Sequence, residues 1–404
     1  MRLISFISLI LFIFIFFSKL KYFQKIFRTK LFLKYELVLL LLTGILFAFV
    51  FPWESQFKAA LPFSQTVEIK AIVGFVRILS DIMIVLCVPF IFSKIRGVQQ
   101  KISKFLFLFL LVQLIVTVID FSFGYPIRNL IFEAPNIPGR FLGFNHEPRS
   151  FGRNSLYALI VLLFNYESKN KLDSYANKAI ILAIINIIIS FSLSTYIAFL
   201  LVFGLTSISN FKNIIVSGTV IIILFAFISK IEYVQQSTFS KFQRIIVQGE
   251  NSLNKYDGPK IFSHFEMPNA AYLYFIWNDP KHLFLGTGPN LINIAYEKYA
   301  IEEWKIDNDY YVSVAPTIGL FRLLARGGIL GLLILFIYLN QLNSVISKSS
   351  ILKTEKLNRR KLLIRSAILF LIIYNQWFYF ILGFLIYLNF RDHHKIKQSF
   401  FKLE

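Results

Sequence analysis

The sequence predicts an all-α polytopic membrane protein with about 11 transmembrane helices. Three observations carry that expectation. Of the 404 residues 56% are hydrophobic, 47 are phenylalanine, and mean hydropathy is +0.63, which together exclude a soluble composition. Apolar runs recur from end to end at the length of roughly 20 residues that a helix needs to cross the hydrocarbon core. Runs such as 37–51 show no alternation of polarity, which excludes a transmembrane barrel.

In chain order the candidate spans are 2–17, 35–52, 71–92, 105–120, 154–166, 179–193, 195–208, 213–229, 317–340, 362–375 and 376–390. The first apolar run, Leu3–Phe17, has Arg2 as the one charge before it and lacks a small-residue cleavage pattern, so it reads as a retained anchor. The last two form a hairpin rather than one tilted helix over 366–390, because Asn375 and Gln376 would put unpaired amides at mid-membrane.

Charge sets the topology. The net charge of +21 comes from short clusters between apolar runs, not from one face, so no nucleic-acid partner is expected. Lysines and arginines within 19–34, 94–104 and 348–361 place those linkers in the cytoplasm. The connection 167–178 and the tail with Arg391, Lys395 and Lys397 then fall on the same side, which supports the hairpin. The organisation is an N-terminal helical region over 1–229 with an outer loop at 121–153, a large extracytoplasmic loop over 230–316, and C-terminal helices with a basic tail over 317–404. A loop of that length is expected to be partly folded. Residues 270–278 (AAYLYFIWN) read as a short interfacial helix, a depth that suits Tyr272, Tyr274 and Trp277. Cys87 stands alone, which rules out an internal disulfide or a cysteine metal site.

The most informative stretch is 140–154, RFLGFNHEPRSFGRN. Pro148 suits the first turn of a helix, so Glu147 falls near its N-cap and Arg149 and Arg153 share a face of the opening turns. Two cations at a positive helix end repel each other and the dipole, an arrangement that makes sense around a bound anion such as a diphosphate. The bland reading has both arginines reaching lipid headgroups. Arg322 and Arg326 repeat the four-residue spacing in PTIGLFRLLARGGILGLL, and Arg77 with Asp81 lies in the third span. Intramembrane ionisable groups are functional candidates, although Arg77 and Asp81 could equally neutralise each other. For acid–base chemistry the outer side offers Glu147, His146, His264, Glu266, Asp307 and Asp309. Glu147 is the first candidate for a base that accepts a hydroxyl proton, with capping and orientation of Arg149 as its structural alternative. His264 is the replacement base. Asp307-Asn308-Asp309 is too short a match to assign a metal, and no cofactor motif is present. Gly286-Thr287-Gly288 reads as a tight turn rather than a dinucleotide site.

These segments carry a family resemblance. RFLGFNHEPRSFGRN resembles the R-x-x-G-x-x-x-E-P segment of the O-antigen and capsule repeat-unit polymerases of the Wzy type. FSLSTYIAFLLVFGL (191–205) is similar to that family's serine-led span, without the arginine that often follows the serine. NDPKHLFLGTGPN resembles its proline and G-x-G element, and LLARGGILGLLILF the span that follows, so the resemblance covers most of 136–390 in order. The H-x-x-x-N signature of the related O-antigen ligases is missing where this chain has APTIG, which favours a polymerase.

What the resemblance implies is a GT-C-like glycosyltransferase in a bacterial cytoplasmic (inner) membrane, with its active site facing the periplasm. It would move a growing glycan from undecaprenyl diphosphate to the non-reducing end of a lipid-linked repeat unit. Arg149, Arg153, Arg322, Arg326 and Arg77 would hold diphosphate or glycan, Arg140 would steer the donor, Glu147 would activate the acceptor hydroxyl, and 270–278 would cover the cleft. No cofactor and no metal are implied. The partners would be undecaprenyl-diphosphate-linked oligosaccharides and membrane lipids, with room for a chain-length regulator. The competing readings are an O-antigen ligase that transfers glycan to a lipid A core and a non-enzymatic flippase for lipid-linked oligosaccharides.

Overall fold

The computed structural model describes residues 67–124, 126–127, 148–168, 174–190, 192–206, 258–259, 261–262, 265, 267–288, 299, 316–349 and 351–396. Apart from a 3₁₀ turn at 261–262, every regular element among them is an α-helix. In chain order these are α1 (Val67–Ser93), α2 (Val98–Phe123), α3 (Pro148–Ser168), α4 (Ser174–Ile189), α5 (Leu193–Thr206), α6 (Met267–Asn278), α7 (Lys281–Leu285), α8 (Gly319–Lys348), α9 (Lys353–Ile372) and α10 (Trp377–Ile396). Two of them, α2 and α8, are long and apolar enough to cross a membrane. The expected spans at 2–17, 35–52 and 213–229 lie outside the described residues.

The chain divides into two compact units. The first takes residues 1–89, 242–348 and 371–383; the second takes 90–241, 349–370 and 384–404.

In the second unit α2, α3 and α4 pack on one another, with α5 against α3. The buried seam of α2 runs through Ser103, Leu106, Leu110, Gln113, Thr117 and Asp120, the alternating three- and four-residue spacing of one helix face. Two asparagines on neighbouring helices bond to this face of α2. The Asn165 side-chain amide donates to the Gln99 carbonyl and to Ser103 Oγ, both at 3.2 Å, and that of Asn186 donates to the Leu110 carbonyl at 3.1 Å. Gly152 lets α3 come close to the α4–α5 connection, where a Cβ would stand 2.6 Å from Ser190 Oγ and 2.7 Å from Thr195 Oγ1.

The paired last helices agree with the sequence. Residues 373–376 are non-helical between α9 and α10, and the Arg359 guanidinium donates to Asn389 Oδ1 at 3.0 Å, a contact that requires the two helices to fold back on each other. Asn375 is satisfied locally, its Oδ1 accepting the N–H of Trp377 at 3.3 Å where α10 begins.

In the first unit α6 and α7 pack on the opening turns of α8. Two expectations change here. The span expected as continuous over 317–340 is broken at Gly328, whose backbone (φ 61°, ψ −162°) is open only to glycine. The part after the break, 329–348, still has the ~20 residues a crossing needs. The second change concerns 270–278, expected at an interface. Ala270, Ala271, Tyr272, Tyr274 and Phe275 are instead buried against Phe262, Phe265, Tyr299, Phe321, Leu324 and Ala325, while Trp277 stays exposed. Burial pushes the Tyr272 phenol well above its usual range, so it stays neutral.

Candidate functional site

The candidate site lies in the first unit and is built from three separate segments. Asp81 comes from α1, Arg322 and Arg326 from α8 before its break, and Tyr374, Gln376 and Tyr379 from the entry to α10. Each segment is apolar on both sides of its polar residues, so the charges reach one another only because the helices bring them together.

Tyr374 is the centre. Its hydroxyl donates to Asp81 Oδ2 at 2.7 Å and accepts from the Arg326 guanidinium. The Tyr379 hydroxyl stands 3.4 Å from it. Both guanidinium carbons stack near the face of the same ring, Arg322 at 4.8 Å and Arg326 at 4.4 Å from its centroid. Asp81, only 3% exposed, receives a second bond from the Gln376 amide at 3.3 Å and an ion pair from Arg326 at 3.8 Å. A buried carboxylate without such partners would be costly, and here three groups carry that load.

The four-residue spacing explains the stacking. Arg322 and Arg326 are one turn apart, so their side chains leave α8 on the same side and can share one aromatic platform. Planar guanidiniums tolerate this closeness because charge is spread over the fork and the ring face is electron-rich. Chemically, the arrangement presents two adjacent forks, one steadied by a carboxylate and a phenol, suited to the oxygens of a phosphate group.

The stretch of α8 before the break, which bears these arginines, is held at both ends. At its start the side chain of Asn269 accepts the N–H groups of Thr317 at 2.9 Å and Ile318 at 3.3 Å and donates to Thr317 Oγ1 at 2.8 Å. At the break Thr287 donates its backbone N–H at 2.7 Å and its hydroxyl at 2.9 Å to the carbonyl of Ala325. The turn expected over 286–288 is therefore present, but it docks on α8. Gly286 (φ 78°) has no room for a side chain, since a Cβ there would lie 2.8 Å from Ala325 O, Gly327 N and Gly328 N.

No family model matches the chain, and no curated protein matches its sequence.

Of the residues singled out by sequence, Arg322 and Arg326 are brought together, and Asp81 meets Arg326. Arg77 lies one turn before Asp81 on α1. Arg149 and Arg153 follow Pro148, which opens α3 as its ring geometry dictates, and Arg153 is half-buried in the second unit. Arg140, Glu147 and His264, with His146, Glu266, Asp307 and Asp309, lie outside the described residues. Sequence reading missed Tyr374, Gln376 and Tyr379. Their signal was the polar, aromatic YNQWFY inside an otherwise apolar stretch, which marks a break and equally marks a partner for a buried charge.

Proposed function

We propose that this chain is a membrane-embedded glycosyltransferase that polymerises lipid-linked repeat units, with Arg322 and Arg326 as ligands of the donor's diphosphate. The observation that carries the reading is the pair of guanidiniums over Tyr374, with Asp81 and the phenol holding one of them. In the reaction the bond between the anomeric carbon and the diphosphate oxygen breaks, and undecaprenyl diphosphate leaves with the electron pair. The hydroxyl at the non-reducing end of the next lipid-linked unit forms the new glycosidic bond, and its proton passes to Glu147. Negative charge grows on the departing diphosphate, and preorganised guanidiniums stabilise that growth more than they stabilise the bound donor. Arg149, Arg153 and Arg77 add cations for diphosphate or glycan, Arg140 steers the donor, and His264 is the replacement base. The reading also includes about 11 spans, a GT-C-like arrangement, residence in a bacterial inner membrane and a site open to the periplasm.

The test is Arg322→Gln in cells that make the polysaccharide. The expected result is single repeat units with no ladder of longer products, the loss of about 10²–10³ in rate that follows removal of one transition-state charge contact. An unchanged ladder overturns the assignment.

A further inference from the structure

We infer that the Gly286–Gly288 turn is the positioning element of the arginine pair, acting through Thr287 on the carbonyl of Ala325. The inference rests on the reading of Arg322 and Arg326 as diphosphate ligands and adds the part of the chain that aims them.

The break at Gly328 makes 319–327 a short helix of its own. A helix of that length has little stability alone, so its orientation is fixed by what it touches. Its carbonyls near the break also lose their partners in the helical ladder. Thr287 gives two donors to the carbonyl of Ala325, the residue immediately before Arg326. Those two bonds come from one residue at different directions and hold both the position and the rotation of that turn.

The docking leaves no slack. A Cβ on Gly328 would overlap the carbonyl of Phe284, and one on Gly286 would press on the backbone of 325–328, so the two chain segments meet backbone to backbone. The turn is itself stiffened by His282. Its Nδ1 lies 3.0 Å from the Gly286 carbonyl oxygen, its Nε2 lies 3.3 Å from Asp279 Oδ2, and its ring lies over Phe275 with centroids 4.8 Å apart. His282 is only 5% exposed. A line of fixed contacts therefore runs from Asp279 through His282 and Thr287 to Ala325 and the base of Arg326.

The leverage is large for small motions. A rotation of ~20° about the axis carries a guanidinium ~6 Å away from it through about 2 Å, enough to lose a bidentate contact with an anion. Asn269 at the other end holds the start of the segment but leaves the turn bearing Arg326 to Thr287. Thr287 is thus a positioning residue that touches no substrate.

The test uses the purified full chain in lipid nanodiscs with inorganic pyrophosphate as the probe. In the unaltered protein, pyrophosphate should slow amide hydrogen exchange in 319–329 and also in 281–288, because linkage between the two segments is reciprocal. Thr287→Val should weaken pyrophosphate binding about tenfold, the scale of losing a hydroxyl bond and its register, whereas Thr287→Ser should stay within about twofold of the parent. Protection of 319–329 without any change in 281–288, or a valine variant that binds as the parent does, overturns the inference while the arginine site stands. Absence of protection in both segments, with Arg322→Gln binding pyrophosphate as the parent does, instead overturns the reading of the arginine pair. The exchange arm needs no substitution, so it decides even where the valine variant does not fold.

Discussion

The second unit buries Arg359 and Arg365, the first half-buries Arg322 and Arg326, and the two pairs are used differently. In the second unit each is matched to a carboxylate of its own: Arg359 donates to Glu355 Oε1 at 3.2 Å through two nitrogens, and Arg365 reaches Glu167 Oε1 at 3.5 Å. Neutral amides complete these pairs, with Asn389 on Arg359 and Asn358 on the Glu167 carbonyl at 3.0 Å. In the first unit Arg326 also pairs with a carboxylate, Asp81, but its guanidinium and that of Arg322 share one tyrosine ring. The difference separates a staple from a site. One-to-one pairing fixes helices in place, whereas like charges brought side by side raise the energy of the empty protein and lower that of a complex with an anion.

The largest expected effect tests the staple. Arg359 is fully buried, so Arg359→Met leaves Glu355 and Asn389 without their guanidinium and should lower stability by about 3–5 kcal/mol. Arg322→Gln, at a half-buried position, should stay within ~1 kcal/mol of the parent while it removes polymerisation. Unfolding in mixed micelles measures both. Equal destabilisation by the two substitutions would mean that Arg322 is a structural staple like Arg359.

The next effect is smaller and sharpens the account of the site. Tyr374→Phe keeps the ring under both guanidiniums but removes the hydroxyl that bonds Asp81 and Arg326. Asp81 keeps Gln376 and the Arg326 ion pair, so the expected cost is about 1–2 kcal/mol. Binding of pyrophosphate should fall with it, because Arg326 loses one of the groups that orient it. If binding is unchanged and only stability falls, the phenol belongs to the structure alone.

Among the described residues the helices were legible from apolar run length, and the break between α9 and α10 from two amides whose burial would have been expensive. Asn375 and Gln376 did mark the break, yet Gln376 also turned out to be a ligand of Asp81, about 300 positions earlier in the chain. Sequence spacing reveals neighbours one turn apart, as with Arg322 and Arg326, and carries no information on which distant segment faces them. The break at Gly328 was hidden for a related reason. Glycine is tolerated within membrane helices, so RGG inside an apolar run reads as continuous until the 286–288 turn is seen to occupy the gap. The 270–278 helix was legible, but the packing of its tyrosines against Phe262, Phe321 and Leu324 was not, because aromatic belts and aromatic cores share a composition.

The smallest expected effect comes from the edge of the positioning line. Lys281 lies 3.0 Å from Asp279 Oδ2, with side-chain exposures of 55% and 34%, and the same oxygen lies 3.3 Å from His282 Nε2. Exposed pairs contribute roughly 0–1 kcal/mol, so Lys281→Ala should change stability by no more than about 0.5 kcal/mol and leave pyrophosphate affinity as it is. The buried partner behaves otherwise: His282→Ala removes the ring from Phe275 and the contact to the Gly286 carbonyl, so it should loosen the turn and weaken binding in the same sense as Thr287→Val. A lysine variant that reproduced the histidine effect would mean that charge on Asp279, rather than the fixed ring of His282, sets the turn that aims the arginines.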